Sequence, residues 1–202
     1  MKNLSSVFYV FTTFLFILIG PAGKANPVKV LHFYIEDVPK ALAYEGELID
    51  GRKWKDNAGL NYILFTQATV TQDGSSSIYF NAYHYVEMGQ EIKLVRRIQD
   101  FEQECLFDVT VEFLPASLYI SDLDENGFAE ITFMYRKGCR SDVSPLDLKL
   151  ILLENGEKHA IRGTTIVAGT GGQEKIDPSF HSANQEFLSF AEQHWKLFKY
   201  EF

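Results

Sequence analysis

Basic side chains are in short supply in this chain. There are 19 Lys and Arg residues against 27 Asp and Glu residues, the formal net charge is −8, and no basic block offsets the acids. Proteins that bind nucleic acid need clustered Lys and Arg to displace the counterions of the phosphates, and an anionic membrane surface makes the same demand. We therefore expect neither nucleic acid nor a charged membrane surface as a partner.

Cysteine is also scarce, and no segment of the chain repeats at a solenoid or propeller period. Two cysteines in 202 residues exclude a disulfide-dense mini-protein, and the lack of repeats argues against a propeller. Hydrophobic residues make up 46% of the chain and aromatic residues 14%, which excludes disorder. The length suits one domain with a substantial core.

The long apolar run of the chain lies at its amino terminus. Lys2 precedes an almost continuous apolar stretch from Val7 to Ile19, and small residues follow up to Ala25. This order is typical of a secretory signal peptide over residues 1–25, and no cysteine follows the run for lipid attachment. An uncleaved anchor is the alternative, but about 13 residues fall short of the roughly 20 that span a bilayer. We expect a periplasmic or secreted protein, soluble after cleavage, with a single β-rich domain over 26–202.

Export changes the interpretation of Cys105 and Cys139, which both lie in the expected mature chain. An oxidising compartment permits them to form a disulfide. Two independent buried thiols are the alternative. Metal binding through sulfur would need a close Cys-x-x-Cys pair, which the sequence lacks. We predict a structural disulfide.

Most of the mature chain alternates polar and apolar residues and is rich in β-branched and aromatic side chains, as strands are. The Asn155-Gly156 pair predicts a tight hairpin turn, whereas residues 46–59 look polar and turn-rich. The predicted strands are Val28 to Ile35, Leu60 to Val70, Ile78 to Val86, Ile92 to Phe101, Phe107 to Phe113, Ser117 to Ile120, Ala129 to Tyr135, Leu146 to Leu153 and Lys158 to Arg162.

The carboxyl-terminal segment has a different, helical period. Ser182 and Gln185 have the spacing of a capping box, and the residues that follow place one broad apolar stripe on a helix over 182–199. The stripe consists of Phe187, Phe190, Ala191, His194, Trp195 and Phe198. Because such a stripe must be buried, we predict a β-rich α+β fold: a mostly antiparallel sheet with a C-terminal amphipathic helix packed on it.

One acidic segment carries the residue types of a calcium loop. Asp-x-Asp-x-Asn-Gly can direct several oxygens at one hard cation, and the glycine allows the sharp turn. The candidate ligands are Asp122, Asp124, Asn126, the main-chain carbonyl of Phe128, and Glu130. Position twelve is Phe133, so the bidentate glutamate of an EF-hand is missing. The flanks look like strands, and the segment resembles the calcium loops of integrin-type β repeats. A plain hairpin turn is the alternative.

Other candidate ligand-binding residues are isolated side chains. Trp54 and Tyr83, if exposed, could stack on sugar rings, although core packing explains most aromatic residues. Arg136 and Arg140 could hold an anionic sugar, although a surface segment that balances nearby acids explains them equally. The histidines are scattered and form no pair with metal-ligand spacing.

A resemblance covers most of the mature chain. The block from Asp122 to Tyr135, the segment from Cys139 to Pro145 and Leu148-Lys149-Leu150 resemble a family of exported bacterial proteins with the automated name surface polysaccharide biosynthesis protein. The resemblance implies work in the cell envelope and supplies no catalytic residues.

Two functions follow from these observations. The first is an exported, non-enzymatic module that binds a glycan or an envelope partner and contains a structural calcium ion. The alternative is a carbohydrate-active enzyme acting on surface polysaccharide through carboxylates such as Asp56, Asp108 or Asp142. No catalytic motif is present, so the binding module is the first expectation.

Overall fold

Two antiparallel five-stranded sheets form the protein in the computed structural model, which describes residues 28–201. The first sheet has the order β1-β2-β3-β4-β5 and the second the order β12-β9-β8-β7-β6. The first contains β1 (Lys29–Leu31), β2 (Glu47–Asp56), β3 (Gly59–Gln72), β4 (Ser75–Met88) and β5 (Glu91–Cys105). The second contains β6 (Asp108–Ser121), β7 (Glu130–Arg140), β8 (Asp147–Glu154), β9 (Glu157–Thr164) and β12 (Glu174–Ile176).

Shorter elements complete the chain. Strands β10 (Ile166–Val167) and β11 (Thr170–Gly171) pair with each other as a small separate hairpin. Single 3-10 turns occur at Ile35–Asp37 and Pro178–His181, and the helix α1 covers Gln185–Phe198. The predicted β-rich, antiparallel architecture with a C-terminal helix on a sheet is confirmed.

The strands divide into two sheets where the sequence suggested one. Each sheet turns large apolar side chains toward the other, and the resulting core contains fully buried Phe65, Phe80 and Phe133. The ring of Phe65 from the first sheet stacks on that of Phe113 from the second, with centroids 4.1 Å apart. A 14-residue helix is only about 21 Å long, so it cannot cover ten strands. The second sheet supplies the remaining cover.

Helix α1 covers the outer face of the second sheet. Its buried side chains include Phe187, Ala191 and Trp195, and they join one cluster with Leu148 and Leu150 of β8. The predicted apolar stripe therefore packs as expected.

The predicted cap of this helix is displaced by two residues. Asn184, rather than Ser182, is the N-cap, and its side-chain oxygen accepts a hydrogen bond from the Glu186 N–H at 3.0 Å. An asparagine at this position satisfies a free helical N–H as well as a serine does, so the capping box is not needed.

Strand β2 was missed in the sequence because its exposed positions are polar. It pairs with β3 from Glu47 to Asp56, and only Gly51 and Trp54 along it are buried. Further along the chain, two predicted strands merge into β6, and an irregular register between Leu114 and Tyr119 accommodates the proline between them. The Asn155-Gly156 turn is confirmed, and both residues have positive φ, 48° and 82°, as a type I′ turn requires.

A disulfide joins the two sheets at one end. Cys105 ends β5, Cys139 lies near the end of β7, and their Cα atoms are 5.6 Å apart. The predicted pairing is confirmed and is consistent with an oxidising compartment. Among residues 28–201, no helix combines the length and the apolar character needed to cross a membrane. The predicted signal peptide, residues 1–25, lies outside the described residues.

We predict that the Cys105→Ser, Cys139→Ser double variant is less stable by about 3–4 kcal/mol, because the unfolded chain loses the constraint of a closed loop. The two cysteines are 34 positions apart. Urea unfolding of the oxidised protein, the reduced protein and the double variant measures this difference. Coincident unfolding curves for the oxidised and reduced proteins would contradict it.

Candidate metal centre

Three carboxylates converge in the acidic loop, residues 122–129, which joins β6 to β7. Asp122, Asp124 and Glu130 each place one oxygen so that the three atoms lie within 4.8 Å of one another. We call these residues the acidic cluster. The chain turns sharply here because Glu125 and Gly127 both have positive φ, 57° and 85°, a conformation that glycine adopts without steric cost.

Glu130 is the most buried member of the cluster. It begins β7 and has no solvent-exposed surface. One carboxylate oxygen, Oε2, accepts a hydrogen bond from the Leu123 N–H at 2.7 Å and another from the Ser121 hydroxyl at 3.3 Å. The other, Oε1, is buried without a hydrogen-bond partner.

Asp122 repeats this pattern. Its Oδ2 accepts a hydrogen bond from the Gly127 N–H at 3.0 Å, whereas its Oδ1 is buried and has no partner. A buried polar atom without a partner costs about 1–3 kcal/mol, and more when it is charged. Two such oxygens in one cluster of three carboxylates are the arrangement that a cation would stabilise.

The electrostatics agree with this interpretation. Burial raises the pKa of Glu130 to about 7, and the negative charges of Asp124 and Glu154 add to the effect, although main-chain hydrogen bonds to its carboxylate oppose it. The pKa of Glu154 is raised as well, first by burial and then by Asp124 and Glu157. Glu154, at the end of β8, is an acidic neighbour that sequence spacing did not reveal.

Of the five predicted ligands, the acidic cluster contains three. Asn126 lies beside the cluster: its Nδ2 donates to Asp124 at 3.1 Å and to Glu154 at 2.6 Å. Its Oδ1 accepts the Phe128 N–H at 2.8 Å, so the amide oxygen is engaged within the loop. The carbonyl of Phe128 remains a predicted ligand.

The geometry can accommodate a metal ion. Calcium is bound by oxygens at 2.3–2.6 Å, so two of its ligands can be up to about 5 Å apart, which accommodates a separation of 4.8 Å. Three carboxylates also overcompensate a divalent charge, as in many protein calcium sites. The cluster could therefore hold a metal ion.

The acidic loop is attached to three other parts of the fold. Its Gly127 carbonyl accepts the Asn57 N–H of the β2–β3 turn at 2.9 Å. The Ala129 N–H donates to Asp56 at 3.1 Å. The helix N-cap residue Asn184 reaches Asp124 at 3.5 Å. A cation in the loop would thus stabilise contacts between both sheets and the helix.

Asp56, a candidate catalytic carboxylate, has a structural role. Its Oδ1 accepts hydrogen bonds from the Ala58 N–H and the Asn61 amide, each at 2.8 Å. Its Oδ2 accepts the Trp54 indole N–H at 3.0 Å, in addition to the Ala129 N–H. Four donors leave this carboxylate little capacity for acid–base work.

The other two candidate carboxylates lie elsewhere. Asp108 is exposed and pairs in register with Arg140, at the opposite end of β6 from the acidic loop. Asp142 is exposed just beyond Arg140. Neither one therefore forms an acid–base pair with Asp56.

The expectation that Trp54 and Tyr83 present exposed rings is wrong. Trp54 has no exposed surface and stacks on His84 in the core, with ring centroids 5.4 Å apart. Tyr83 is 3% exposed, because the segment around Leu42 covers it. Neither ring can stack on a sugar in this structure.

The two predicted anion-binding arginines are already paired with acids. Arg136 donates to Glu112 at 2.8 Å, and Arg140 forms an ion pair with Glu201 at 2.8 Å. Both arginines therefore fit the alternative interpretation, in which they balance the charge of nearby acids at the surface.

His84 was not singled out by sequence spacing, yet it lines a cavity of about 300 Å³ together with Asp56 and Asn61. Its Nε2 lies 3.0 Å from Asn61 Oδ1. The Asn61 amide nitrogen donates to Asp56, so the Asn61 atom that faces His84 is the amide oxygen, which is an acceptor. The proton of the neutral His84 ring is therefore assigned to Nε2. Burial lowers the pKa of His84 to about 4, although the negative Asp56 partly opposes it.

We predict that His84 makes the protein sensitive to acid. Its pKa is lower in the folded protein than in the unfolded chain, so the unfolded chain binds more protons at this site, and the contribution of His84 to the free energy of unfolding falls as pH drops from about 6.5 to about 4. The expected loss is about 3 kcal/mol. Glu130, whose pKa is raised, contributes with the opposite sign over the same pH range in the wild type and in the histidine variants alike.

Urea unfolding between pH 7 and pH 4 tests this effect of His84. The His84→Gln variant keeps an amide N–H for Asn61 and should show a smaller loss. The exposed His181 provides the control, because His181→Gln should behave like the wild type. Equal pH dependence in both variants would refute the assignment.

Comparisons with known proteins add no further constraint on this site. No family model, no curated protein and no solved structure matches the chain. Conclusions about function therefore depend on the chemistry of the acidic loop and its surroundings.

Proposed function

We propose that the protein is an exported envelope module that binds a glycan and requires a structural calcium ion in the acidic loop. One observation carries the calcium part: Asp122, Asp124 and Glu130 converge, and two of their buried oxygens have no hydrogen-bond donor. A hard cation would compensate these oxygens in the way that main-chain donors compensate the remaining ones.

The position of the acidic loop supports a structural role for the ion. The loop contacts the β2–β3 turn, Glu154 at the end of β8 and the start of α1. These parts belong to both sheets and to the helix, and the charges of the acidic cluster repel one another. Calcium would turn this repulsion into attraction, and would thereby strengthen the end of the molecule that lies opposite the disulfide.

Location in an oxidising compartment is supported by the Cys105–Cys139 disulfide. Export also agrees with the signal-peptide pattern of residues 1–25. A place in the cell envelope is the expectation that the block from Asp122 to Tyr135 gives, and a glycan is the partner we propose there. Binding is favoured over catalysis because the four hydrogen bonds of Asp56 assign that carboxylate to the fold.

We predict that calcium raises the melting temperature of the wild-type protein. Ion at 100 times its dissociation constant adds about 2.7 kcal/mol to the free energy of unfolding, or about 5–10 °C for a domain of this size. Differential scanning calorimetry in millimolar calcium and in chelator measures the shift.

Two variants locate the effect of calcium in the acidic loop. Asp122→Asn and Glu130→Gln should each abolish the calcium-dependent shift. Each should leave the calcium-free melting temperature unchanged or raised, because each removes a repelling charge and keeps an acceptor oxygen for the main-chain donor. Asp142→Asn removes an exposed acid outside the loop and should retain the full shift. If the wild-type melting curves with calcium and with chelator superimpose, the loop is only a hairpin turn and the calcium prediction is wrong.

We also predict that the exported protein begins near Asn26, because cleavage is expected after Ala25. Intact-mass measurement of protein recovered from outside the cytoplasm identifies its first residue. A variant with Arg in place of Ala25 should accumulate uncleaved, since the small residue is required. Recovery of the wild-type protein with Met1 or Lys2 intact would contradict the prediction.

A further inference from the structure

Strand β5 crosses the inner face of the second sheet, and charged residues line the crossing. Glu102 of β5 forms an ion pair with Lys137 of β7 at 3.0 Å. Two residues earlier, Asp100 forms an ion pair with Lys149 of β8. Each of these crossings places one acid opposite one base.

The third position along β5 does not pair an acid with a base. Four residues before Asp100, Arg96 lies on the same face of β5. Lys158 lies on the same face of β9 as Arg162, so the next positions on the two facing surfaces are both cations. The proximity of Arg96 and Arg162 lowers the pKa of Lys158, after the larger effect of burial. Neither Arg96 nor Lys158 belongs to any ion pair formed among residues 28–201.

The strand register adds a row of cations beside this crossing. Lys175 of β12 is directly opposite Arg162 of β9, and Arg162 is directly opposite Lys149 of β8. Residues opposite each other in paired strands share one face of the sheet. This face is the inner one, because Lys149 is in turn opposite Tyr135, which belongs to the core between the sheets.

The resulting group of side chains has an excess of positive charge. We call it the basic cluster, and its members are Arg96, Lys149, Lys158, Arg162 and Lys175. Two acids balance part of it: Asp100 is paired with Lys149, and Asp177 with Arg162 at 2.7 Å. Five cations against two acids leave a local excess in a protein whose formal net charge is −8.

We propose that the basic cluster binds the carboxylates of an acidic polysaccharide, an inference that rests on the proposed glycan-binding function and names its ligand class. Arg96 and Lys158 are partly buried, and Lys175 is exposed. None of the three has an anionic partner among the ion pairs of the described residues, and a carboxylate would supply charge-assisted hydrogen bonds. The row across β12, β9 and β8 is three strands wide, about 10 Å. Lys149 and Arg162 in this row already hold Asp100 and Asp177, so Lys175, Arg96 and Lys158 are the cations that can meet carboxylates on successive sugar rings of a linear chain.

Other polyanions fit this surface less well. Nucleic acid carries a phosphate on every nucleotide, and five cations, two of which are already paired with acids, neutralise few phosphates. A peptide that binds by adding a strand needs a free sheet edge, but Arg162 and Lys149 lie on β9 and β8, which are paired on both sides. A polysaccharide needs only the side chains.

Titration calorimetry with a linear oligogalacturonate tests the proposal. The methyl-esterified form of the same oligosaccharide is the neutral control, and the calcium concentration is held constant in every arm. We expect the acidic form to bind at least tenfold more tightly than the ester, and to bind more weakly as salt is raised.

Variants test whether the basic cluster is the site. Lys158→Gln and Lys175→Gln should each weaken oligogalacturonate binding about tenfold. Lys196→Gln removes the same charge from an exposed position on α1, on the other side of the second sheet, and should bind like the wild type. The melting temperature of Lys158→Gln should be unchanged or raised, because the substitution relieves repulsion, so unfolding cannot explain its lost affinity.

The other outcomes separate this inference from the proposed function. Equal binding of the ester and the acid, unaffected by Lys158→Gln, would overturn the inference and support glycan binding elsewhere. If the protein binds neither form of the oligosaccharide and no glycan on an array, both the inference and the proposed glycan binding are overturned. The calcium measurements are independent of that result. Binding of polyglutamate as tight as that of the oligogalacturonate, and lost in Lys158→Gln, would overturn the choice of a polysaccharide.

Discussion

The Asp56 carboxylate connects the two sheets at the end of the molecule where the acidic loop lies. Its four donors come from the Trp54 indole, the β2–β3 turn, the Asn61 amide and the Ala129 N–H of the acidic loop, which joins two strands of the second sheet. The Asn61 contact passes on to His84, and Ala129 directly precedes Glu130. Removing this carboxylate would leave several buried donors without partners, so core packing and the acidic cluster both depend on it.

Charge is separated within this acidic protein. The surface arginines Arg136 and Arg140 are neutralised by Glu112 and Glu201, whereas the acidic cluster and the basic cluster each keep charge that nearby residues do not balance. Unbalanced, partly buried charge lowers stability, and natural proteins retain such local conflicts mainly where binding requires them. Under the two proposals the clusters have a common physical basis, because each would be completed by a ligand of opposite charge.

Sequence reasoning succeeded where the determining contacts are local. The Asn155-Gly156 turn, the acidic residues from Asp122 to Glu130 and the apolar stripe of α1 all follow from residues a few positions apart. It failed where distant segments meet. The contact between Ala129 and Asp56 spans 73 positions, and the basic cluster exists only because β5 crosses β8 and β9. No spacing rule within one strand reports such a crossing.

The β8–β9 turn lies between the acidic cluster and the basic cluster and connects them along the chain. Glu154, before the turn, contacts Asn126 of the acidic loop, and Lys158, just after it, belongs to the basic cluster. Between them Gly156 has φ +82°, and a Cβ there would lie 3.1 Å from a methyl group of Val95, next to Arg96. A larger residue at Gly156 would therefore require the side chain of Val95 or the turn itself to move. Calcium that fixes Glu154 through the loop would also restrain the spacing between Arg96 and Lys158.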